Sequence, residues 1–133
     1  MKTLHIMVGL PRSGKSTVAR ALGYPIVEPD AIRRVLYEKP FDNKNEMLVW
    51  GLTKTMVQVL FEAGHKDVVL DACNHTHERR RLWYSEDWVI EFHVVNTTKE
   101  ECIKRAKDLG QHYLVAPIER MHACYEQLEG GEC

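Results

Sequence analysis

The sequence lacks several features that would assign it to a specialised class of protein. Its 133 residues contain 18 Lys and Arg and 19 Asp and Glu, so the net charge of −1 provides no overall attraction to nucleic acid or to a membrane surface. No apolar run approaches the ~18 residues that a membrane span requires. The four cysteines form no CxxC pair and no export signal is evident, which favours free thiols in a cytoplasmic protein over disulfides. Any anionic ligand must therefore be held by a local cluster of residues.

The composition that is present is that of an ordinary soluble globular chain. Hydrophobic residues make up 44% and charged residues 28%, which excludes a largely disordered or a fibrous protein. A length of 133 residues is close to that of one domain, and no linker-like segment or internal repeat divides it. We therefore expect residues 1–133 to form a single domain, and no pattern in the sequence predicts an obligate protein partner.

Short apolar segments alternate with segments of helical periodicity along the whole chain. The pattern predicts strands at residues 3–8, 25–28, 68–70 and 88–95, helices at residues 16–22, 29–36, 46–63, 77–84, 98–108 and 117–128, a loop at 40–43 and a frayed tail at 129–133. Strands that alternate with helices form parallel βαβ units. The predicted fold is a small three-layer α/β domain with about four parallel strands, in which ligands bind at the carboxyl ends of the strands.

The longest predicted helix, at 46–63, carries apolar residues at three- and four-residue spacing. The residues that form this pattern are Leu48, Leu52, Met56, Val59, Leu60 and Ala63, and Gly64 ends the helix.

A segment directly after the first predicted strand matches the phosphate-loop pattern G-x-x-x-x-G-K-[ST]. It comprises Gly9, Leu10, Pro11, Arg12, Ser13, Gly14, Lys15, Ser16 and Thr17. The two glycines allow the loop to wrap around a phosphate, and the start of the following helix adds positive charge. Lys15 is placed to reach the β- and γ-phosphates, and the Ser16 hydroxyl is placed to coordinate Mg²⁺. The segment therefore predicts a site for a nucleoside triphosphate with Mg²⁺.

Two carboxylates follow predicted strands. Asp71 ends the apolar run 68–70, which is typical of the strand-end Asp that holds Mg²⁺ in such proteins, although a strand-end Asp also commonly caps the next turn. With the phosphate loop present, we favour the metal role for Asp71. Asp30 follows the second strand, and its spacing fits both a general base and an ordinary helix N-cap.

An ordered set of segments resembles a known family of kinases. The segments are GLPRSGKST, PDAIRRVL, VVLDACNHTHERRRLW, ECIKRAK and VAPIERM. In this order they resemble the kinase domain of phage polynucleotide 5′-hydroxyl kinase and its relatives, over residues 1 to about 126, and more distantly the zeta-toxin and adenylate-kinase-like P-loop kinases. The resemblance implies a P-loop NTPase fold with the phosphate-loop strand inside the sheet, ATP and Mg²⁺ as cosubstrates, and transfer of the γ-phosphoryl group to a hydroxyl.

The resemblance also implies roles for individual residues. Asp30 matches the general base, Arg33 an arginine that contacts the phosphate of the acceptor, and Arg105 an arginine that closes over the ATP phosphates. Asp71 and Asn74 match the D-x-x-N that follows the third strand, which implies that Asn74 contacts the substrate. Lys15, Asp30 and Arg105 are thus the predicted catalytic residues, and Ser16 and Asp71 the predicted metal ligands.

The sequence departs from the family pattern at two places. Glu28 and Pro29 precede the predicted base where the family often has a polar triplet. Leu109 stands where the family commonly has a second arginine, four residues after the first. This second departure weakens the expected stabilisation of transition-state charge.

Several other residues have a structural interpretation beside a functional one. Arg79, Arg80 and Arg81 span about 200° of a helix, so at most one of them is expected to face a ligand. His5 and His93 lie in apolar strands and are predicted to be hydrogen-bonded sheet residues.

Three functions remain open. The leading prediction is a kinase for the 5′ end of a polynucleotide. The first alternative is a kinase for a small hydroxyl compound such as a metabolite, nucleotide or antibiotic, because the same loop and base would serve it. The second is an ATP-binding module with weakened catalysis, which Leu109 motivates.

Overall fold

The computed structural model describes residues 1–37 and 45–132. The strands are β1 (Thr3–Val8), β2 (Ile26–Val27), β3 (Asp67–Leu70) and β4 (Val89–Val94). The helices are α1 (Lys15–Ala21), α2 (Pro29–Tyr37), α3 (Glu46–Glu62), α4 (His77–Arg81), α5 (Lys99–Asp108) and α6 (Val115–Ala123), with 3₁₀ turns at His112–Leu114 and Gly130–Glu132. The predicted loop at 40–43 lies outside the described residues. None of the helices in the described ranges is long and apolar enough to cross a membrane.

The four strands form one parallel sheet in the order β2-β3-β1-β4. β1 lies between β3 and β4, so the strand that leads into the phosphate loop is inside the sheet. Leu4, Ile6 and Val8 of β1 pack on the side of the sheet that α3 covers, and Met7 packs against Ala19 of α1 on the other side. This arrangement confirms the predicted three-layer α/β fold with four parallel strands.

The side of α3 that faces the core is not the side that carries the apolar spacing noted in the sequence. Its buried residues are Val49, Thr53, Val57 and Phe61, which recur every four residues. Of the residues in the apolar pattern, Leu48, Leu52, Met56 and Val59 are exposed. Because α3 is apolar on more than one side, periodicity alone does not identify the side that meets the sheet.

The C-terminal residues also differ from the prediction. α6 ends at Ala123 and not near residue 128, and the residues after it fold back onto α4. The Arg80 side chain is fully buried, and its Nε donates to Glu132 Oε2 at 2.9 Å, while Nη2 donates to the backbone oxygens of Glu126 and Gln127. A buried guanidinium requires acceptors, and this segment supplies them, which orders the predicted frayed tail.

Capping residues set the start of two helices as the sequence predicts. The Thr76 side chain accepts a hydrogen bond from the Arg79 N–H at 3.3 Å and begins α4. The Thr98 side chain accepts one from the Glu101 N–H at 3.2 Å and begins α5. α5 thereby starts close to the end of β4, which brings its side chains near the phosphate loop.

Candidate active site

The phosphate loop connects β1 to α1, and its backbone requires both glycines of the motif. Gly14 has a φ of 97°, in the left-handed region that favours glycine. A Cβ on Gly9 would lie 2.7 Å from Ser13 Oγ and 3.1 Å from the Val95 carbonyl oxygen. The spacing of the motif therefore reflects the geometry of this loop.

Two buried oxygens beside the loop lack a hydrogen-bond partner among the described residues. They are Ser13 Oγ and Asp71 Oδ1. The other Asp71 oxygen, Oδ2, accepts a hydrogen bond from Ser16 Oγ at 2.7 Å. Buried polar atoms are normally paired, so these atoms indicate a place for a bound ligand. A carboxylate and a hydroxyl in contact are oxygen ligands of the kind that Mg²⁺ takes, and the residues present fit a metal–phosphate group.

Lys15 lies in a strongly negative environment. Burial alone would lower the pKa of Lys15, but Cys73, Asp71 and Asp30 together raise it above its ordinary value. Lys15 is therefore positively charged at neutral pH and suited to hold phosphate oxygens.

Asp30 is the second residue of α2, so it lies inside the first turn and is not an N-cap. Its side chain is half exposed and accepts a hydrogen bond from Arg33 Nη1. Arg33 also donates through Nε to Glu46 Oε2 at 2.8 Å and through Nη2 to Glu46 Oε1. Arg33 thus joins Asp30 to the first turn of α3.

Arg105 reaches from α5 to the phosphate loop. Its Nη1 donates to the Arg12 carbonyl oxygen at 3.2 Å and lies 3.7 Å from the position of a Cβ on Gly14. Its Nε donates to Glu101 Oε1 at 3.1 Å. Leu109, where a second arginine is common in the resembled family, is exposed just after the last residue of α5.

Asn74 lies apart from these residues. It is 1% exposed, and its Nδ2 donates to the Met7 carbonyl oxygen at 2.9 Å. Its φ of 47° places it in a tight turn after β3. Asn74 therefore contacts the sheet below the loop, and it does not line the cavity described below.

Two further residues lie at the site although the sequence assigned neither a role in catalysis or nucleotide binding. Glu28 follows β2, and burial, with the negative charges of Asp71 and Asp30, raises its pKa. Cys73 lies beside Lys15, and burial raises the pKa of its thiol despite the positive charge of that lysine. Their position in the sequence could have indicated them as site residues, because both follow predicted strands and therefore lie at the carboxyl edge of the sheet.

A cavity of about 490 Å³ opens between α2 and α3. Its polar lining residues are Arg20, Glu28 and Asp71. The remaining lining residues are aliphatic or apolar: Ile26, Ala31, Ile32, Val35, Leu36, Leu52 and Met56. Two of the exposed apolar residues of α3, Leu52 and Met56, thus line this cavity. The cavity reaches from the Asp71 carboxylate to the surface of α2 and is a candidate acceptor pocket.

The four-stranded parallel sheet, this phosphate loop with Lys15, and the Ser16–Asp71 contact together define a P-loop nucleotide-binding domain. Residues 4–128 match the AAA domain family, a family of P-loop kinase domains, and the chain belongs to it.

Solved structures of similar fold include several kinases. One is a chain of a Pnkp1/Rnl/Hen1 complex, with 27% identity and a TM-score of 0.71 over 78% of this chain. The match spans 38% of the length of that structure's chain. A gluconokinase from Sinorhizobium meliloti 1021 has 20% identity and a TM-score of 0.64, covering 97% of this chain and 77% of its own. A sugar kinase from Janibacter sp. HTCC2649 has 18% identity and a TM-score of 0.69, covering 99% and 82%.

Proposed function

We propose that this protein transfers the γ-phosphoryl group of ATP to the 5′-hydroxyl of a polynucleotide. The observation that carries the phosphotransferase assignment is the convergence of Lys15, the Ser16–Asp71 pair and Arg105 on one loop. The polynucleotide acceptor is supported by the ordered segments described above and by the 27% identity to the Pnkp1/Rnl/Hen1 structure. We further propose that residues 1–133 act as one cytoplasmic domain, for which the free thiols Cys73, Cys102 and Cys124 provide support.

The phosphate loop and its neighbours form the nucleotide side of the proposed site. The backbone N–H groups of residues 9–17, together with Lys15, would hold the phosphates, and Ser16 and Asp71 would hold Mg²⁺. Bound MgATP would supply the phosphoryl group and the metal that neutralises its charge. Arg105 is placed to exchange its bond to the Arg12 carbonyl for a phosphate oxygen.

Asp30 provides the acceptor side of the proposed site. Its carboxylate would accept the proton of the acceptor hydroxyl. The hydrogen bond from Arg33 Nη1 orients the Asp30 carboxylate. In the proposal Arg33 contacts the acceptor phosphate while Glu46 holds its side chain in place. In the proposal Asn74 acts on the substrate only indirectly, by holding the turn after Asp71 through its bond to the Met7 carbonyl.

A second candidate is favoured by the cavity. Its walls are mainly aliphatic, and within the described part of the chain none of its lining residues is aromatic. A small acceptor would therefore occupy it as readily as a strand end. One of the solved structures named above is described as a gluconokinase and another as a sugar kinase. The same residues would then phosphorylate a small hydroxyl compound.

A labelling experiment identifies the acceptor. The protein is incubated with γ-labelled ATP and Mg²⁺ and with one class of acceptor at a time: 5′-hydroxyl oligonucleotides of RNA or DNA, nucleosides, or small sugars and alcohols. Transfer of the label to each acceptor is measured. We expect label on the oligonucleotides. Label on small acceptors alone would contradict the polynucleotide assignment, and ATP binding without transfer to any acceptor would indicate a binding module.

The Asp30→Asn variant tests the role of the proposed base. It retains a side-chain oxygen that can accept from Arg33 but cannot take the proton, so we expect a loss of turnover of about 10²–10⁴-fold with ATP affinity unchanged. Asp108→Asn is the matched control, since Asp108 is an exposed aspartate on α5 that pairs with Lys104. Full turnover by Asp30→Asn would remove Asp30 from the base role.

A further inference from the structure

A second polar cluster lies on the sheet, apart from the phosphate loop. His5 is on β1 and pairs in register with Glu91 of β4, and His93 follows two residues after Glu91. Residues two apart on a strand share a face of the sheet, so all three side chains are on one face. Gly9 begins the phosphate loop four residues after His5, about 13 Å further along the strand direction.

The three side chains place their ligand atoms together. His5 Nδ1 lies 2.9 Å from His93 Nε2. Glu91 has one oxygen 3.8 Å from His5 Nδ1 and the other 3.9 Å from His93 Nε2. All the ligand atoms lie within 4.8 Å of one another. In a tetrahedral zinc site with bonds of about 2.0–2.2 Å, the ligand atoms are about 3.4 Å apart. The three separations given above each differ from this value by about half an ångström, and small rotations of the side chains are enough to remove the difference.

A fourth residue fixes the orientation of His5. Asp67 Oδ1 lies 2.8 Å from His5 Nε2, and a carboxylate can only accept, so Nε2 carries the hydrogen. In the neutral imidazole the lone pair is then on Nδ1, the atom that faces His93 and Glu91. A carboxylate behind a histidine in this way is the usual support of a metal-bound imidazole. His5 is buried, and its ring stacks on Tyr24 with centroids 5.0 Å apart, which holds the ring in this orientation.

We propose that His5 Nδ1, His93 Nε2 and the Glu91 carboxylate bind a zinc-type divalent cation that ties β4 to β1. The cation takes the place of the proton that His93 donates to His5 in the structure. Two imidazoles and one carboxylate suit Zn²⁺ and neighbouring first-row metals, whereas Mg²⁺ prefers oxygen ligands. The site is therefore distinct from the Ser16–Asp71 site in both position and metal preference. β4 is at the edge of the sheet, so a bound cation stabilises an otherwise singly paired strand.

The test is calorimetric titration of the full chain with ZnCl₂, without nucleotide, together with thermal melting at each zinc concentration. We expect one high-affinity Zn²⁺ per chain and a melting temperature that rises with Zn²⁺ and returns after chelation, since a ligand of the folded state stabilises it. Co²⁺ should bind with the visible absorption of a four-coordinate site, and an excess of Mg²⁺ should leave both signals unchanged.

Variants locate the site. We expect His93→Ala to lose Zn²⁺ binding, Glu91→Gln to weaken it, and Asp67→Asn to weaken it about 10–100-fold, as for other residues that support a metal-bound histidine. His112→Ala is the matched control, because His112 is an exposed histidine in another part of the chain, and we expect it to bind as the unaltered protein does. Glu91→Gln changes a largely exposed side chain, and the asparagine of Asp67→Asn can still accept the hydrogen bond from His5. These two variants therefore test the site even if His93→Ala does not fold.

Two results would overturn the proposal. One is an unaltered chain with no zinc-dependent heat or melting shift. The other is a Zn²⁺ affinity that is the same in the unaltered chain, in Glu91→Gln and in Asp67→Asn, which would place the ion elsewhere, for example on the thiols.

Discussion

Two arginines of the candidate active site differ in how firmly they are held. Arg33 is buried and bonds to Glu46 through two nitrogens, and removing one partner of such a pair costs about 3–5 kcal/mol. Arg105 is 43% exposed in its side chain and pairs only with Glu101 and the Arg12 carbonyl among the contacts described. Exposed pairs contribute about 0–1 kcal/mol, so Arg105 can exchange these bonds for phosphate at little cost.

Because of this difference, a substitution of Arg105 is the better test of whether an arginine stabilises the negative charge that develops during phosphoryl transfer. We expect Arg105→Ala to lower turnover about 10²–10³-fold, the usual effect of removing one donor from developing negative charge. Its stability should stay within about 0.5 kcal/mol of the unaltered chain. Turnover is measured with the acceptor that the labelled-ATP panel identifies, and stability by urea unfolding.

Lys104→Ala is the matched control for this variant. Lys104 lies on the same helix, is largely exposed and pairs with Asp108 at 3.8 Å. Equal turnover in the two variants would show that Arg105 does not act on the phosphates.

Helix α3 separates a core-facing side from a side that borders the cavity. Val57 is fully buried against the sheet, while Val59, two residues later, is 53% exposed. Both are valines in the middle of the same helix, so helix propensity is equal at the two positions. A difference in stability between them must then come from packing.

We expect Val57→Ala to lower the free energy of unfolding by about 2 kcal/mol, from lost burial and the cavity that remains. Val59→Ala should change it by less than about 0.5 kcal/mol. Urea denaturation of the two variants measures both values. A larger loss in Val59→Ala than in Val57→Ala would mean that the opposite side of α3 faces the core.

A long-range ion pair between Arg80 of α4 and Glu132 joins two distant parts of the chain. Burial alone would raise the pKa of Glu132, but hydrogen bonds from Arg80 and from the Glu129 N–H lower it from 4.5 to about 2. A carboxyl group with a lowered pKa in the folded state binds its proton less readily there than in the unfolded chain. Its stabilising contribution is complete above the unfolded pKa and is lost as the pH falls toward the folded pKa.

The expected result is a pH-dependent difference between the unaltered chain and Glu132→Gln. At pH 7 the variant should be less stable by about 1–3 kcal/mol, the cost of weakening a buried charged hydrogen bond. The difference should shrink as the pH falls from about 4.5 to about 2. Urea midpoints at a series of pH values measure it, with Glu119→Gln on the exposed side of α6 as the control. A difference that does not depend on pH would contradict the charged pair.

Local sequence patterns were sufficient to predict the strands and most of the helices, and also the part of the site proposed to bind the nucleotide. Alternating apolar segments predicted the four strands, Thr76 and Thr98 marked two helix starts, and the spacing of Gly9 and Gly14 predicted the loop whose backbone requires them. Apart from the Val95 oxygen that faces Gly9, these features depend on residues that are close in the chain. Short-range sterics and hydrogen bonding therefore determine them.

The remaining features of the fold and of the two sites depend on contacts between residues that are distant in the sequence. The buried side of α3, the pairing of Arg80 with Glu132, and the meeting of His5 with Glu91 and His93 each join parts of the chain that are far apart in sequence. Asp30 and Asp71 belong to one site only because their strands end at the same edge of a parallel sheet. Burial and charge pairing select among arrangements that local sequence leaves equal in energy, so only the tertiary structure shows which is adopted.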